Sequence, residues 1–179
     1  HPFGDFKRVL TIKQLLSMRG GWSGGDGHQT AEETMLEEHL SKMPDEEFRY
    51  FTGGHNVLSV ILTKTTDQST NKFADRALFE PLGIHNAFWR KVDGYYCGGD
   101  ESYFTARDLA RFGQLYLDKG VVDGNPLLDS AWIQKTFTNY NDHSREFRSL
   151  DCYDETGYGL SWWIFKRQTG ETIYAARGK

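Results

Sequence analysis

The sequence predicts an α+β fold, a single domain that is mainly helical over residues 1–150 and contributes strands of a core sheet over 151–179. Three observations predict it. "FTARDLARFGQLYLDKG", from Phe104 to Gly120, carries a helix cap, an apolar stripe and a glycine stop. "YGLSWWIFKRQTGETIYAARG", from Tyr158 to Gly178, carries two β-rich runs around a Thr-Gly turn. Elsewhere one helical pattern follows another, so helices are segregated from strands instead of alternating with them.

In chain order, "TIKQLLSM" pairs Thr11 with Gln14 three residues later, a capping box, and puts Ile12, Leu15 and Leu16 on one helical face. "RGGWSGGDGHQT" is glycine-rich and polar, hence a long loop. "AEETMLEEHLSKMP" predicts a surface helix running up to Pro44. "NVLSVILTKTT" spaces Val57, Leu58, Ile61 and Leu62 as a buried helix face, although its β-branched content also suits a strand. "STNKFADRALFEPLGI" predicts a capped helix stopped by Pro81 and Gly83. In the 104–120 segment Thr105 is the cap, and Asp108 suits the positive end of the helix dipole. There Leu109, Phe112, Tyr116 and Leu117 share a face, and Gly120 fits the C′ stop. "LDSAWIQKTF" gives one more short helix before the final hairpin.

Composition narrows the function. The chain has 179 residues, 38% hydrophobic and 15% aromatic, which is enough for a packed core and unlike a disordered segment. A formal charge of −4 without basic runs gives no support to nucleic-acid binding. No apolar stretch approaches the ~20 residues that a membrane span needs. Cys97 and Cys152, far apart in sequence, match no metal or redox spacing; they could pair, but they are read as two free or buried thiols. His28, His39, His55, His85 and His143 show no zinc-ligand spacing and are read as surface or structural residues. "GGWSGGDG" and "CGGD" lack the order of a phosphate-binding loop. No cofactor requirement is visible.

Two candidates for nucleophilic chemistry remain. Ser69-Thr70-Asn71-Lys72 matches S-x-x-K formally, but its polar middle residues suit a solvent-facing helix start, so Ser69 is assigned as a cap. Tyr50, in "FRYFTGGHNVLSVIL", precedes a small, glycine-bearing turn and an apolar run. A tyrosine at such a junction is commonly a packing residue. It can also be a proton carrier at the mouth of a helix.

The order of several blocks favours the second role. "LTIKQLLSMRGGW", "MPDEEFRYFTGGHNVLSVILTK", "FADRALFEPLGIHNAFW", "GGDESYFTARDLARFGQLYLDKG", "YGLSWW" and "YAARGK" together resemble the serine β-lactamase and penicillin-binding-protein superfamily. The branch they resemble is that of class C β-lactamases, esterases and 6-aminohexanoate-oligomer hydrolases. The resemblance implies a predominantly helical middle portion of a β-lactamase/transpeptidase-like fold, with a C-terminal β-hairpin from its central sheet. It implies a serine hydrolase acting on an amide, lactam or ester through an acyl-enzyme. The family's Tyr-x-Asn element falls on Tyr50-Phe51-Thr52, with Thr52 in place of Asn. Lys179 matches the first position of the last-strand motif. The Ser-x-x-Lys element belongs upstream of "LTIKQLL", so the chain is expected to be a piece truncated at both ends.

In that scheme Tyr50 is the catalytic general base and acid, while Thr52 and Lys179 contact a small-molecule substrate. Two lysine ammoniums near the phenol would lower its pKa toward neutrality. Backbone N–H groups would hold the oxyanion. The segments "SGGDGHQT" and "DGYYCGGDESYF" would border the pocket, and their aromatic content suits bulky or apolar acyl groups. The resemblance suits a periplasmic or secreted setting. The alternative is a non-catalytic fragment or binding-only relative that keeps the fold without the nucleophile. An incomplete sheet would leave Trp162, Trp163 and Ile164 short of cover, which predicts self-association through exposed core surface.

Overall fold

A computed structural model describes residues 4–23, 29–85, 87–142 and 153–177. Its helices are α1 (Ile12–Leu16), α2 (Ala31–Leu36), α3 (Thr52–Thr66), α4 (Thr70–Ala74), α5 (Ala106–Leu117) and α6 (Ser130–Thr136). Three of them start with the same local device. Thr11 with Gln14, Thr30 with Glu33 and Thr105 with Asp108 form reciprocal capping boxes at α1, α2 and α5. Ser69 caps α4 by accepting from the Lys72 N–H, the role its sequence context suggested. The chain continues past α4 as a π-helical turn over Asp75–Phe79.

The strands are β1 (Phe88–Trp89), β2 (Lys91–Val92), β3 (Tyr95–Tyr96), β4 (Ser102–Tyr103), β5 (Val121–Val122), β6 (Asn125–Pro126), β7 (Asn141–Asp142), β8 (Tyr153–Tyr158), β9 (Trp163–Arg167) and β10 (Thr172–Ala175). The last four form an antiparallel sheet in the order β10-β9-β8-β7. The predicted β9–β10 hairpin is present, with Tyr174 opposite Ile164 and Gly170 in the left-handed turn position. β8 joins it, placing Tyr158 opposite Trp163. The mixed helix-and-sheet architecture is the α+β class expected.

Helices and sheet meet along a seam of aromatic side chains. On the helical side Leu15, Trp22, Leu40, Phe51 and Val57 form one buried cluster, with the Trp22 and Phe51 rings stacked at 5.3 Å. On the sheet side Met18, Phe48, Tyr158, Trp163 and Phe165 form a second. The two clusters are joined through residues 48–51, where Phe48 enters the sheet cluster and Phe51 the helical one. Asn141 at the sheet edge reinforces the seam by donating to Ser17 O at 3.0 Å and accepting from Arg19 Nη1 at 2.8 Å.

Four sequence expectations are corrected. α2 ends at Leu36 instead of running to Pro44, because residues 39–42 pair with 21–23. Ser23 N donates to His39 O at 2.8 Å, Trp22 bridges Leu40, and Leu40 is fully buried. Long-range pairing therefore outweighs local helix propensity there. On α5 Asp108 and Leu115 are buried and Phe112 and Tyr116 are half-buried beside them, whereas Leu109 and Leu117 face solvent at 56% and 76% exposure. The ring that sets this face is Trp162, against which Phe112 stacks and Tyr116 tilts at 4.6 Å.

The chain also covers its own tryptophans. Trp162 is buried among Phe112, Tyr116 and Phe137, and Trp163 among Phe48, Tyr50, Tyr158 and Phe165. The exposure expected of these two indoles is not found, while Ile164 is half-buried. Finally, strands occur outside the terminal hairpin. β2–β3 and β5–β6 are two-residue hairpins turning on Asp93-Gly94 and Asp123-Gly124, all four residues at positive φ.

Candidate active site

The seam positions Tyr50. Met18 N–H and C=O lie at the turn after α1, and the Met18 carbonyl accepts from Arg49 N at 2.9 Å. The Met18 thioether accepts from Phe51 N at 3.4 Å, so residues 49–51 are held on one anchor. Phe51 is extended, with φ −149° and ψ 103°. Extended backbone sends the side chain of Tyr50 to the side opposite Phe51. Phe51 points inward at 1% exposure and Thr52 is 8% exposed, so of these three residues only Tyr50 keeps partial exposure.

Tyr50 is half-buried, not sealed. One face of its ring stacks on Trp163 at 5.4 Å, and its plane meets Tyr158 edge-on at 6.2 Å. Burial, and secondarily the neighbouring Tyr50, hold the Tyr158 phenol protonated well above the ordinary tyrosine range. Of two facing phenols, the buried one is thus fixed as neutral. Thr52 opens α3 and is buried against the loop between β3 and β4. Lys179, the third predicted site residue, lies outside the described residues, as do Cys152 and the 24–28 part of the glycine-rich loop.

α3 begins without a side-chain cap, unlike α1, α2 and α5. Its first two turns are instead gripped by neighbours. Asn56 is 7% exposed, donates to Gln29 O at 2.6 Å and accepts from Gly98 N and Gly99 N at 2.7 and 3.0 Å. A Cβ on Gly99 would stand 2.6 Å from Thr52 Cγ2, and one on Gly98 2.1 Å from His55 O. Both glycines are required for close approach of loop to helix.

His55, one residue earlier, bonds Ser161 Oγ through Nε2 at 2.7 Å. Burial lowers its imidazole to about 4, so the ring is neutral at pH 7, and its covered Nδ1 makes no hydrogen bond among the described residues. Ser161 sits at φ 65° between β8 and β9, with its N–H donating to Leu16 O at 2.9 Å. His55 is therefore a structural tie between α3 and the sheet, in keeping with the structural role read from sequence.

A cavity of about 510 Å³ opens between α2, α3 and the β2–β3 hairpin. Met35, Val57, Val60, Ile61, Tyr95 and Tyr96 wall it, with Gln29 and Thr30 at one rim and Asp100 and Glu101 at another. Tyr50 and Thr52 do not line it. Asn56 does line it. Cys97 on its wall is a free, buried thiol, kept protonated by burial and then by Asp100.

Residues 3–178 match the family described as Beta-lactamase, and the chain belongs to that family. It is 26% identical over 129 residues to the 6-aminohexanoate-dimer hydrolase of Paenarthrobacter ureafaciens, covering 69% of this chain and 32% of the relative. The octameric penicillin-binding protein homologue of Pyrococcus abyssi superposes with a TM-score of 0.72 at 19% identity, covering 92% of this chain and 45% of that one. The D-amino acid amidase of Ochrobactrum anthropi superposes with a TM-score of 0.67 at 15% identity, covering 96% and 59%. The chain thus spans about a third of the length of the 6-aminohexanoate-dimer hydrolase. The structural likenesses show the fold.

Asn56 and the His55–Ser161 tie were not singled out as functional from sequence. Their partners lie 42 and 106 residues away, so no short-range pattern announces them. The turn signals Asp93-Gly94 and Asp123-Gly124 were legible and would have located the small hairpins.

Proposed function

We propose that the protein containing this chain is a serine hydrolase that cleaves an amide, lactam or ester through an acyl-enzyme, with Tyr50 as general base and acid. The observation that carries this reading is a half-buried phenol, Tyr50, two residues before the start of α3, in a chain whose residues 3–178 match the Beta-lactamase family. Amides are the favoured class, because relatives and structural neighbours include an amidase and a 6-aminohexanoate-dimer hydrolase.

The chemistry balances as follows. A serine Oγ attacks the substrate carbonyl while its proton passes to the Tyr50 phenolate. Backbone N–H groups hold the oxyanion of the tetrahedral intermediate. The intermediate collapses as the C–N bond breaks, and Tyr50 returns the proton to the leaving nitrogen. Water then attacks the acyl ester, Tyr50 accepts a proton from it, and the serine recovers one. Thr52 offers a hydroxyl that both donates and accepts, a shorter reach than an asparagine amide. Lys179 is assigned to the substrate on its match to the last-strand motif. The nucleophile is a serine other than Ser69, whose hydroxyl is engaged as a cap.

The test uses the full-length polypeptide. Tyr50→Phe keeps the ring on Trp163 and removes the phenol, so kcat should fall roughly 10²- to 10⁴-fold with little change in melting temperature. A fluorophosphonate should label one serine, and peptide mapping should exclude Ser69. An unchanged kcat removes Tyr50 from the mechanism. Absence of any acylated serine supports a binding-only relative instead.

A further inference from the structure

We infer that Asn56 is a positioning residue: its side-chain amide clamps the Gly98–Gly99 loop onto the first turns of α3 and thereby fixes the wall beside Thr52. The inference rests on the reading that the Tyr50–Thr52 corner is the catalytic edge. Its geometry stands independently of that reading.

Asn56 lies one turn after Thr52, on the same side of α3. Its Oδ1 accepts two consecutive backbone N–H groups, from Gly98 and Gly99, and its Nδ2 donates to Gln29 O. One buried side chain thus joins three separate segments: α3, the β3–β4 loop and the residues entering α2. Gly98 and Gly99 have no side chains to hold that part of the loop in place, whereas Glu101 at its far end pairs with Arg90 at 3.5 Å. Gly98 and Gly99 approach within backbone contact of His55 and Thr52 because they lack Cβ atoms.

The ends of that loop are already fixed. Arg90 N donates to Glu101 O at 3.0 Å, and Cys97 N to Arg90 O at 3.0 Å. Between these points only the Asn56 amide receives the two glycine N–H groups among the described residues. A buried N–H without a partner is disfavoured, so losing Asn56 should lift the loop toward water rather than leave it in place. Gly99 of this loop lies against Thr52, while the flanking Cys97 and Asp100 line the 510 Å³ cavity, so the loop's position bears on both surfaces.

Three variants of the full-length polypeptide test this, with hydrogen exchange of the Gly98–Gly99 amides and steady-state hydrolysis of p-nitrophenyl hexanoate as readouts. In Asn56→Leu, both glycine amides should exchange at least roughly tenfold faster, and KM should rise by about tenfold with kcat within about threefold. Asn56→Asp keeps acceptors for both amides and loses only the donor to Gln29, so it should retain the glycine protection and a near-native KM. Asn56→Ser is too short to reach the loop and should behave as the Leu variant, which keeps the test available if Asn56→Leu fails to fold. A merely structural role would lower the melting temperature and leave KM of the folded enzyme unchanged.

Unchanged glycine exchange in the Leu and Ser variants overturns the clamp. Faster exchange with unchanged KM overturns its role in positioning the site. Tyr50→Phe separates the two readings: if that variant keeps full turnover, the catalytic reading fails while the exchange data still decide the clamp.

Discussion

α5 and α3 are both well-formed helices, but they are made in opposite ways. α5 opens on its own Thr105–Asp108 box, with Asp108 held below the usual carboxylate range by the Thr105 hydroxyl, and turns an apolar stripe toward Trp162. Everything that starts it lies within four residues. α3 has no side-chain cap, and Thr52, Gly53 and Gly54 in its first turn are all buried. Its start is set by Met18, by the glycine loop and by the sheet. A self-capped helix can sit anywhere on a surface. A helix whose start is dictated by three other segments holds its first residues in fixed register with them, as a site-bearing segment must.

The contrast should appear first in pH dependence. α3 carries His55, whose folded-state value of about 4 lies below the unfolded value of 6.5. Between those values the unfolded chain binds the extra proton, so stability is full above pH 6.5 and declines as pH falls toward 4. The loss attributable to this one ring is about 3 kcal/mol between pH 7 and 4. Urea unfolding at several pH values, for the native protein and for His55→Gln, isolates it from carboxylate titration. The native curve should fall more steeply over that range. Parallel curves would mean that the ring titrates normally and that α3 is not buried as described.

A smaller effect tests the crowding at the first turn of α3. A Cβ on Gly53 would lie 2.1 Å from Thr34 Oγ1 and 2.8 Å from two atoms of the Phe51 ring. Thr34 and Phe51 are 0% and 1% exposed, so neither can move aside into solvent. Overpacking of this kind costs more than the helix-propensity gain of alanine returns, and Gly53→Ala should lose about 2 kcal/mol net. Thermal unfolding of the variant checks it. A neutral result would show that α2 and α3 are looser than their contacts suggest.

The same contrast explains what was legible in the sequence. α5, α6, the cap at Ser69 and the β9–β10 turn follow from residues within one or two turns of each other, and each was placed from local pattern alone. α2 was drawn too long because Leu40 and His39 answer to Gly21–Ser23, pairing that no local window contains. β8 was missed because "ETGYG" is weak as a strand. Its Gly157 and Gly159 are needed where Asn139 and Thr136 press against the chain. Leu109 and Leu117 were assigned inward because periodicity gives a stripe, but not which edge of that stripe meets Trp162. For the candidate site, Tyr50 and Thr52 were singled out by block order and family resemblance. Asn56 and its two glycines, far apart in the chain, could be joined only by the fold.

The smallest expected effect has the opposite sign and comes from α5. Gly113 sits in the middle of that helix, and a Cβ there would meet nothing within 4 Å. It has no positive φ to preserve. Glycine at such a position only enlarges the entropy of the unfolded chain, so Gly113→Ala should stabilise the protein by about 0.5–1 kcal/mol. Paired with Gly53→Ala, it asks one chemical change to do opposite things in two helices: a methyl group that helps where the helix faces open space, and harms where the helix start is enclosed. Thermal unfolding of both variants under one condition decides it. If Gly113→Ala is destabilising, the exposed side of α5 is covered by something that packs as closely as α2 packs on α3, and the contrast between the two helices fails.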